Sequence, residues 1–174
     1  MDVTVQFMQG GEEGLRAVMQ AFSVPLMKYA YSILLNHHDA EDVVQDVFVS
    51  AFKFRTRFDG KNLSAWLYKI TYNQCMNKRK RHLPLFWHDV KTEPSTWDNV
   101  CDDSALHALL KPLKPSERAI LYERIFLGHS YDELSAISGK SVTSLRKQYE
   151  RAKKKITKIL SECNDFCMAK GDFV

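Results

Sequence analysis

The cations of residues 130–158, SYDELSAISGKSVTSLRKQYERAKKKITK, are the first chemically pointed group in this sequence. Arg146, Lys147, Arg151, Lys153, Lys154, Lys155 and Lys158 alternate there with Val142, Leu145, Tyr149, Ala152, Ile156 and Ile159, which recur at helical spacing. Cations along one side of a helix do no covalent chemistry; they neutralise phosphates. Just upstream, Ser130 and Glu133 have capping-box spacing, Leu134 and Ile137 give a short helix its apolar side, and Gly139 supplies a positive φ. Ser141 can open the helix that follows. Short helix, tight turn and basic helix together make a helix-turn-helix, whose second helix enters the major groove of DNA. Glu150 interrupts the basic stripe; an acid repels phosphate but can accept from a cytosine amine.

A second group lies in LSAWLYKITYNQCMNKRKR, residues 63–81. Trp66, Tyr68 and Tyr72 can stack on unpaired bases, Asn73 and Asn77 can read base edges, and Lys69 with Lys78–Arg81 can follow a backbone. Trp66 is also expected to be partly core. The preceding loop, Phe58–Asn62, can cradle an extruded base or serve as an ordinary surface turn. A third group is acidic: DAEDVVQDVFVSAF sets Asp39, Glu41, Asp42, Gln45 and Asp46 on the polar side of an apolar helix. Acids near a helix start suit its dipole, and acids continuing to Asp46 form a face that can dock onto a basic partner. His38 and Asp42 lie one turn apart, but no second His pair or HExxH pattern completes a metal site.

These groups need helices to position them, and nearly every segment is expected to be helical. The first helix is expected over 12–36, kinked or split at Pro25, with Leu15, Val18, Met19, Phe22, Leu26, Ala30, Ile33 and Leu34 on one side. A second runs 39–57, capped by Asp39, with Val43, Val44, Val47, Phe48, Ala51 and Phe52 as its buried stripe. A third, capped by Asn62, runs 63–81, and the three share one core. Residues 82–103 lose periodicity, contain Pro84 and Pro94 with Phe86, Trp87 and Trp97, and are expected to be a flexible linker. From Ser104 helices resume: Leu106, Leu109, Leu110 and Leu113 form one stripe, then Pro115 opens a helix with Ile120, Leu121, Ile125 and Phe126, closed by Gly128. The fold class is all-α: two small helical domains joined by a flexible linker, the C-terminal one a helix-turn-helix.

The chain has 174 residues and a net charge of only +4, so its positive charge is local rather than global. Its four cysteines (Cys75, Cys101, Cys163, Cys167) lack disulfide-framework spacing, and no signal peptide or long apolar run is present. The expected location is the cytoplasm, without membrane insertion. Cys163 and Cys167 are read as ordinary thiols. No nucleophile elbow, P-loop or dinucleotide fingerprint occurs, so an enzyme is not expected.

An acidic DAED-VVQDVF helix, a WLYKI-YN basic helix, a linker and a C-terminal helix-turn-helix, in that order, resemble bacterial RNA polymerase sigma factors of the extracytoplasmic-function type. The resemblance covers roughly residues 10–82 and 104–160. It implies region 2 over 1–82, a linker over 83–103, region 4 over 104–165 and a tail over 166–174. It implies that Asp39, Glu41, Asp42, Gln45, Asp46 and Phe48 contact core RNA polymerase. The FDGKN loop, Phe58, Gly60, Lys61 and Asn62, would capture a flipped base of the −10 element. Trp66, Lys69, Asn73 and Asn77 would read and melt that element. Arg124 would hold the −35 backbone, with Thr143, Ser144, Arg146, Lys147 and Arg151 on the recognition helix. Implied partners are core RNA polymerase, promoter DNA and an anti-sigma factor; no cofactor or metal is implied.

Overall fold

The computed structural model describes residues 3–81 and 104–169. The expected linker 83–103, with its aromatics and Cys101, lies outside the described residues, as do residues 170–174 and the side chains of Cys163 and Cys167. The described residues form helices α1 (Val3–Gln9), α2 (Gly11–Leu34), α3 (His37–Lys53), a 3-10 turn (Arg55–Arg57), α4 (Leu63–Arg81), α5 (Ser104–Leu110), α6 (Pro115–Ile125), α7 (Tyr131–Ser138) and α8 (Val142–Ala169).

α1 was not expected from periodicity. It folds back on α2 through Gly10 and Gly11, both at positive φ (79° and 81°). The close approach depends on Gly14, where a Cβ would run into the Gln6 carbonyl. α2 runs unbroken through Pro25, correcting the expected kink or split. Proline removes only one N–H, and Leu26, Met27, Tyr29, Ala30 and Ile33, all fully buried, anchor the turns that follow. α2 ends with Leu35 in the left-handed region (φ 55°), an uncommon conformation for a non-glycine residue. Its side chain then packs against Leu110, Leu113 and Leu121, in the second half of the chain.

α3 begins two residues earlier than expected. Asn36, not Asp39, is the cap: its side-chain oxygen accepts from the Asp39 N–H at 2.9 Å. α3 stops at Lys53, and the 3-10 turn replaces its expected last turn. Asn62 caps α4 as expected, accepting from Ala65 N–H at 2.9 Å.

In the C-terminal half the capping box of α7 is complete. Ser130 Oγ accepts from Glu133 N–H at 3.2 Å, and Glu133 accepts from Ser130 N–H at 2.7 Å. Gly139 closes α7 at φ 71°, and Ser141 Oγ accepts from Ser144 N–H at 3.3 Å to open α8. Ile120, Leu134 and Leu145 lock α6, α7 and α8 together. The expected stripe of α6 is corrected at its end: Ile125 and Phe126 are exposed because the helix finishes there at the surface.

The main core is formed by α1 to α4, yet it extends across the chain. Ala119 of α6 and Ile137 of α7 belong to it, with Tyr122 and Leu127 packed against it. α6 lies on α2, and α7 lies on α4. The two helical units therefore meet along a packed seam.

Candidate nucleic-acid interface

On α8, burial of Leu145 and Ala152 against α6 and α7 fixes which side faces out. Thr143, Ser144, Arg146, Lys147 and Arg151 are all exposed on that outer side. Arg146 lies over the Tyr131 ring at 5.4 Å, which holds its guanidinium against the start of α7. Arg124 departs from expectation. It is half-buried, lies 4.7 Å over Tyr131 and 5.9 Å over Tyr149, and donates to the His129 carbonyl. It braces α6 against α7 and α8 as well as carrying charge.

On α4, Leu67 and Thr71 point into the core, and Thr71 Oγ donates back to the Leu67 carbonyl at 2.9 Å. Lys69, Asn73 and Asn77 then fall on the exposed side. One cation and two amides on successive turns offer charge and base-edge donors on one strip. The loop before α4 is less open than its sequence suggested. Phe58 is buried, 6.4 Å from Phe7 and 5.2 Å from Trp66, and Trp66 is half-buried, 6.0 Å from Phe7. These rings close the core beneath the loop because α1, unforeseen, brings Phe7 over them. Asp59 accepts from Lys61 N–H at 3.1 Å, Gly60 takes φ 79° under Met8, and the Asn62 side-chain oxygen is engaged in the helix cap. Lys61 remains exposed.

The acidic side of α3 is divided. Lys78 Nζ of α4 bridges Asp42 at 2.7 Å and Asp39 at 3.1 Å. The Lys78 hydrogen bond outweighs burial and holds the Asp42 carboxyl below its usual 3.8. Gln45 and Asp46 are exposed, and Glu41 is half-buried. Phe48 does not present its ring to a partner; it is buried in the core on the opposite side of α3.

Sequence reasoning missed a further strip at the end of α3. Lys53 and Arg57 lie 5.6 Å and 4.9 Å over the Phe54 ring, and Arg55 lies 4.7 Å over Phe52. Phe54 is 38% exposed. The alternation FKFRTR carried the signal: rings and cations interleaved, as on surfaces that hold single strands.

Between the two units lies a buried polar contact. The Tyr29 hydroxyl of α2 donates to the Glu123 carboxylate of α6, both nearly inaccessible. His129 Nδ1 is 4.0 Å from the same carboxylate, and the Tyr68 ring meets His129 edge-on at 5.8 Å. Burial first, and then the Glu123 charge, keep the Tyr29 phenol well above its usual range. Nearby, Arg118 is buried, donates to the Leu113 carbonyl at 3.2 Å, and is lowered to about 10 by burial and by Arg79. Among the described residues no cluster of His, Cys, Asp and Glu can hold a metal, and no helix is long and apolar enough to cross a membrane.

Two family descriptions match this architecture in chain order. Sigma-70 region 2 matches residues 18–83, and Sigma-70 region 4 matches residues 103–156. The chain belongs to the sigma-70 family, extracytoplasmic-function type. The matched segments of this sigma factor contain both exposed strips, on α4 and on α8. An extracytoplasmic-function sigma factor SigE of Mycolicibacterium smegmatis is 27% identical over 78% of this chain. The chain spans 57% of that relative's length, and 47% of SigG from Mycobacterium tuberculosis, another 27% match. Among solved structures, the sigma factor RpoE in complex with the anti-sigma factor NepR from Bartonella quintana shares 27% identity. It matches 86% of this chain and 96% of that one, with a TM-score of 0.65. CnrH in complex with the cytosolic domain of CnrY matches the fold at a TM-score of 0.70 over 92% of this chain and 96% of that one, with 23% identity.

Proposed function

We propose that this protein binds core RNA polymerase and directs promoter-specific transcription initiation. The observation that carries the reading is the pair of exposed strips on one chain. Lys69, Asn73 and Asn77 lie in the segment matched to region 2, and Thr143, Ser144, Arg146, Lys147 and Arg151 in the segment matched to region 4. The first strip reads and opens the −10 element; the second reads the −35 element. Base contacts worth about 1–3 kcal/mol each reach useful specificity only when both strips engage, and tethering on one chain makes the second engagement intramolecular. Opening is favoured where unpaired bases gain stacking of roughly 1–3 kcal/mol each on an aromatic ring; Tyr68 and Tyr72 are buried, so the half-buried Trp66 and the exposed Phe54 offer that ring. Lys61, exposed in the loop before α4, adds a cation for the backbone.

The acidic side of α3, with Glu41, Gln45 and Asp46 unclaimed by Lys78, supplies the polymerase contact. Asp39 and Asp42 take part by exchanging Lys78 for a cation of the partner. Phe48 and Phe58 act by holding α3 and the loop in place, and Arg124 by orienting the recognition helix. Nucleotide transfer belongs to the polymerase, so the protein is a factor and not an enzyme. An anti-sigma factor that holds the free protein inactive belongs to the same reading, as does a cytoplasmic location. The domain division, region 2 to residue 82, linker 83–103 and region 4 over 104–165, follows from it.

The test is transcription by purified core polymerase on sheared genomic DNA, with and without the protein. New discrete transcripts that vanish with Asp46→Lys support the reading. Tight binding of operator-like DNA by the protein alone, with no transcripts and no co-elution with core polymerase, would replace it with a stand-alone helix-turn-helix regulator.

A further inference from the structure

α8 carries seven Lys and Arg residues between Val142 and Ser161 and a single acid, Glu150. An isolated acid among cations ordinarily pairs with one of them, at the i±3 or i±4 neighbours. Glu150 does not: it is exposed, and no ion pair or hydrogen bond reaches it among the described residues. Of the four cations at those spacings, Arg146 lies over the Tyr131 ring at 5.4 Å and Lys153 over the Tyr149 ring at 5.7 Å, while Lys147 and Lys154 are exposed and make no ion pair with it.

Its position on the helix is as informative. At about 100° per residue, Thr143, Arg146, Lys147 and Glu150 fall within one sector about 100° wide, with Arg146 and Lys147 at its edges. Leu145 and Ala152, fully buried, mark the opposite side. Glu150 therefore lies near the middle of the outward face, with cations on both flanks. A helix in the major groove places its flanks near the phosphates and its midline near the base edges. A carboxylate at the flank would be repelled; one at the midline meets bases. There the chemistry is selective, because cytosine presents only an amine donor, guanine and thymine present acceptors, and adenine presents one of each.

We propose that Glu150 is a specificity-determining residue for the −35 element, accepting a hydrogen bond from the N4 amine of a cytosine in one C·G pair and disfavouring guanine and thymine at that position. This rests on the reading of the chain as a promoter-reading sigma factor. The cations beside it supply affinity without sequence, and Glu150 gives up some of that affinity for a choice of base.

The experiment uses the full chain with core polymerase on a promoter library fixed at the −10 element and randomised through the −35 element, each template barcoded in its transcribed region. The wild type should favour cytosine over thymine at one position by about tenfold or more. Glu150→Ala should erase that preference and leave the other positions unchanged. Glu150→Gln should move it toward adenine, which an amide can bind through both N6 and N7. A Glu150→Ala profile identical to wild type, with output raised evenly on every template, would overturn the proposal, since a carboxylate that only repels phosphate gives that result. If the wild type yields no transcript from any template, the sigma-factor reading fails instead, whatever Glu150 does.

Discussion

Lys78 Nζ lies 2.7 Å from a carboxylate oxygen of Asp42, joining the helix that carries Lys69, Asn73 and Asn77 to the helix that carries the acidic face. Asp42 and its neighbour Asp39 are thus already neutralised in the free protein, whereas Asp46 is not. Attraction to a basic partner should then depend more on Asp46 than on Asp42. Asp46→Asn is expected to weaken core-polymerase binding by several-fold, chiefly through slower association, and Asp42→Asn by less. Stopped-flow association at two salt concentrations checks both. Equal losses would show that the polymerase displaces Lys78 at no cost.

The same pair sets a pH limit. Asp42 is held below 3.8 by Lys78, so its contribution is complete above 3.8 and is lost as pH falls through its lower folded value. For Glu117, burial raises the carboxyl, but the hydrogen bonds from Lys155 and the Lys114 backbone outweigh it, so its contribution is lost in the same direction, below 4.5. Lys78→Met should flatten the acid limb of a Tm-against-pH curve below 3.8 and leave it unchanged near neutrality apart from a constant offset. An acid limb as steep as in the wild type would show that Asp42 does not contribute.

On the proposed function, the seam between the units must open for both strips to engage one promoter. The −10 and −35 elements lie about 25 base pairs apart, or roughly 85 Å along the duplex, while a compact chain of this length has a radius of gyration of about 16 Å. The packed form cannot span both elements. Tyr29→Phe leaves the Glu123 carboxylate buried without its donor, which costs about 1–3 kcal/mol. Its expected outcome is a lower Tm and a larger radius of gyration by small-angle scattering for the free protein. An unchanged radius would show that apolar contacts alone hold the seam.

The helix-turn-helix is small, and its local signals carry measurable weight. Ser130→Ala removes a cap that accepts from Glu133 N–H and should cost about 1 kcal/mol. Gly139→Ala meets no atom within 4 Å, so only the strain of φ 71° opposes it, about 1–2 kcal/mol. Chemical denaturation measures both, and recognition-helix amides should exchange faster in each variant.

Much of this was legible in the sequence because the signals were local. The Ser130–Glu133 capping box, Gly139 and the period of α8 involve residues within one or two turns of each other, and local chemistry decides them. Asp39 lost the cap of α3 to Asn36 because Asn36, three positions earlier, accepts from the Asp39 N–H and so starts the helix before Asp39. α1 was invisible because its fit depends on Gly14 being small where another helix arrives, a property of two segments rather than one. The burial of Phe58 and Trp66 followed from that same helix. Leu35 at φ 55° has no glycine to announce it; its partners are more than seventy residues away. The exposed strips on α4 and α8 were readable because helical period separates the side that packs from the side that does not.

The shared core has a consequence for the life of the protein in a cell. Ala119 and Ile137 are buried by the other half of the chain, with Tyr122 and Leu127 resting on the same core. Separating the halves gives these side chains to water at the same moment that it frees the two reading surfaces. An opened molecule away from polymerase is therefore a substrate for proteases and a seed for aggregation before it is a reader of promoters. On the proposed function, the seam therefore sets persistence: how long an unoccupied copy survives between one polymerase and the next.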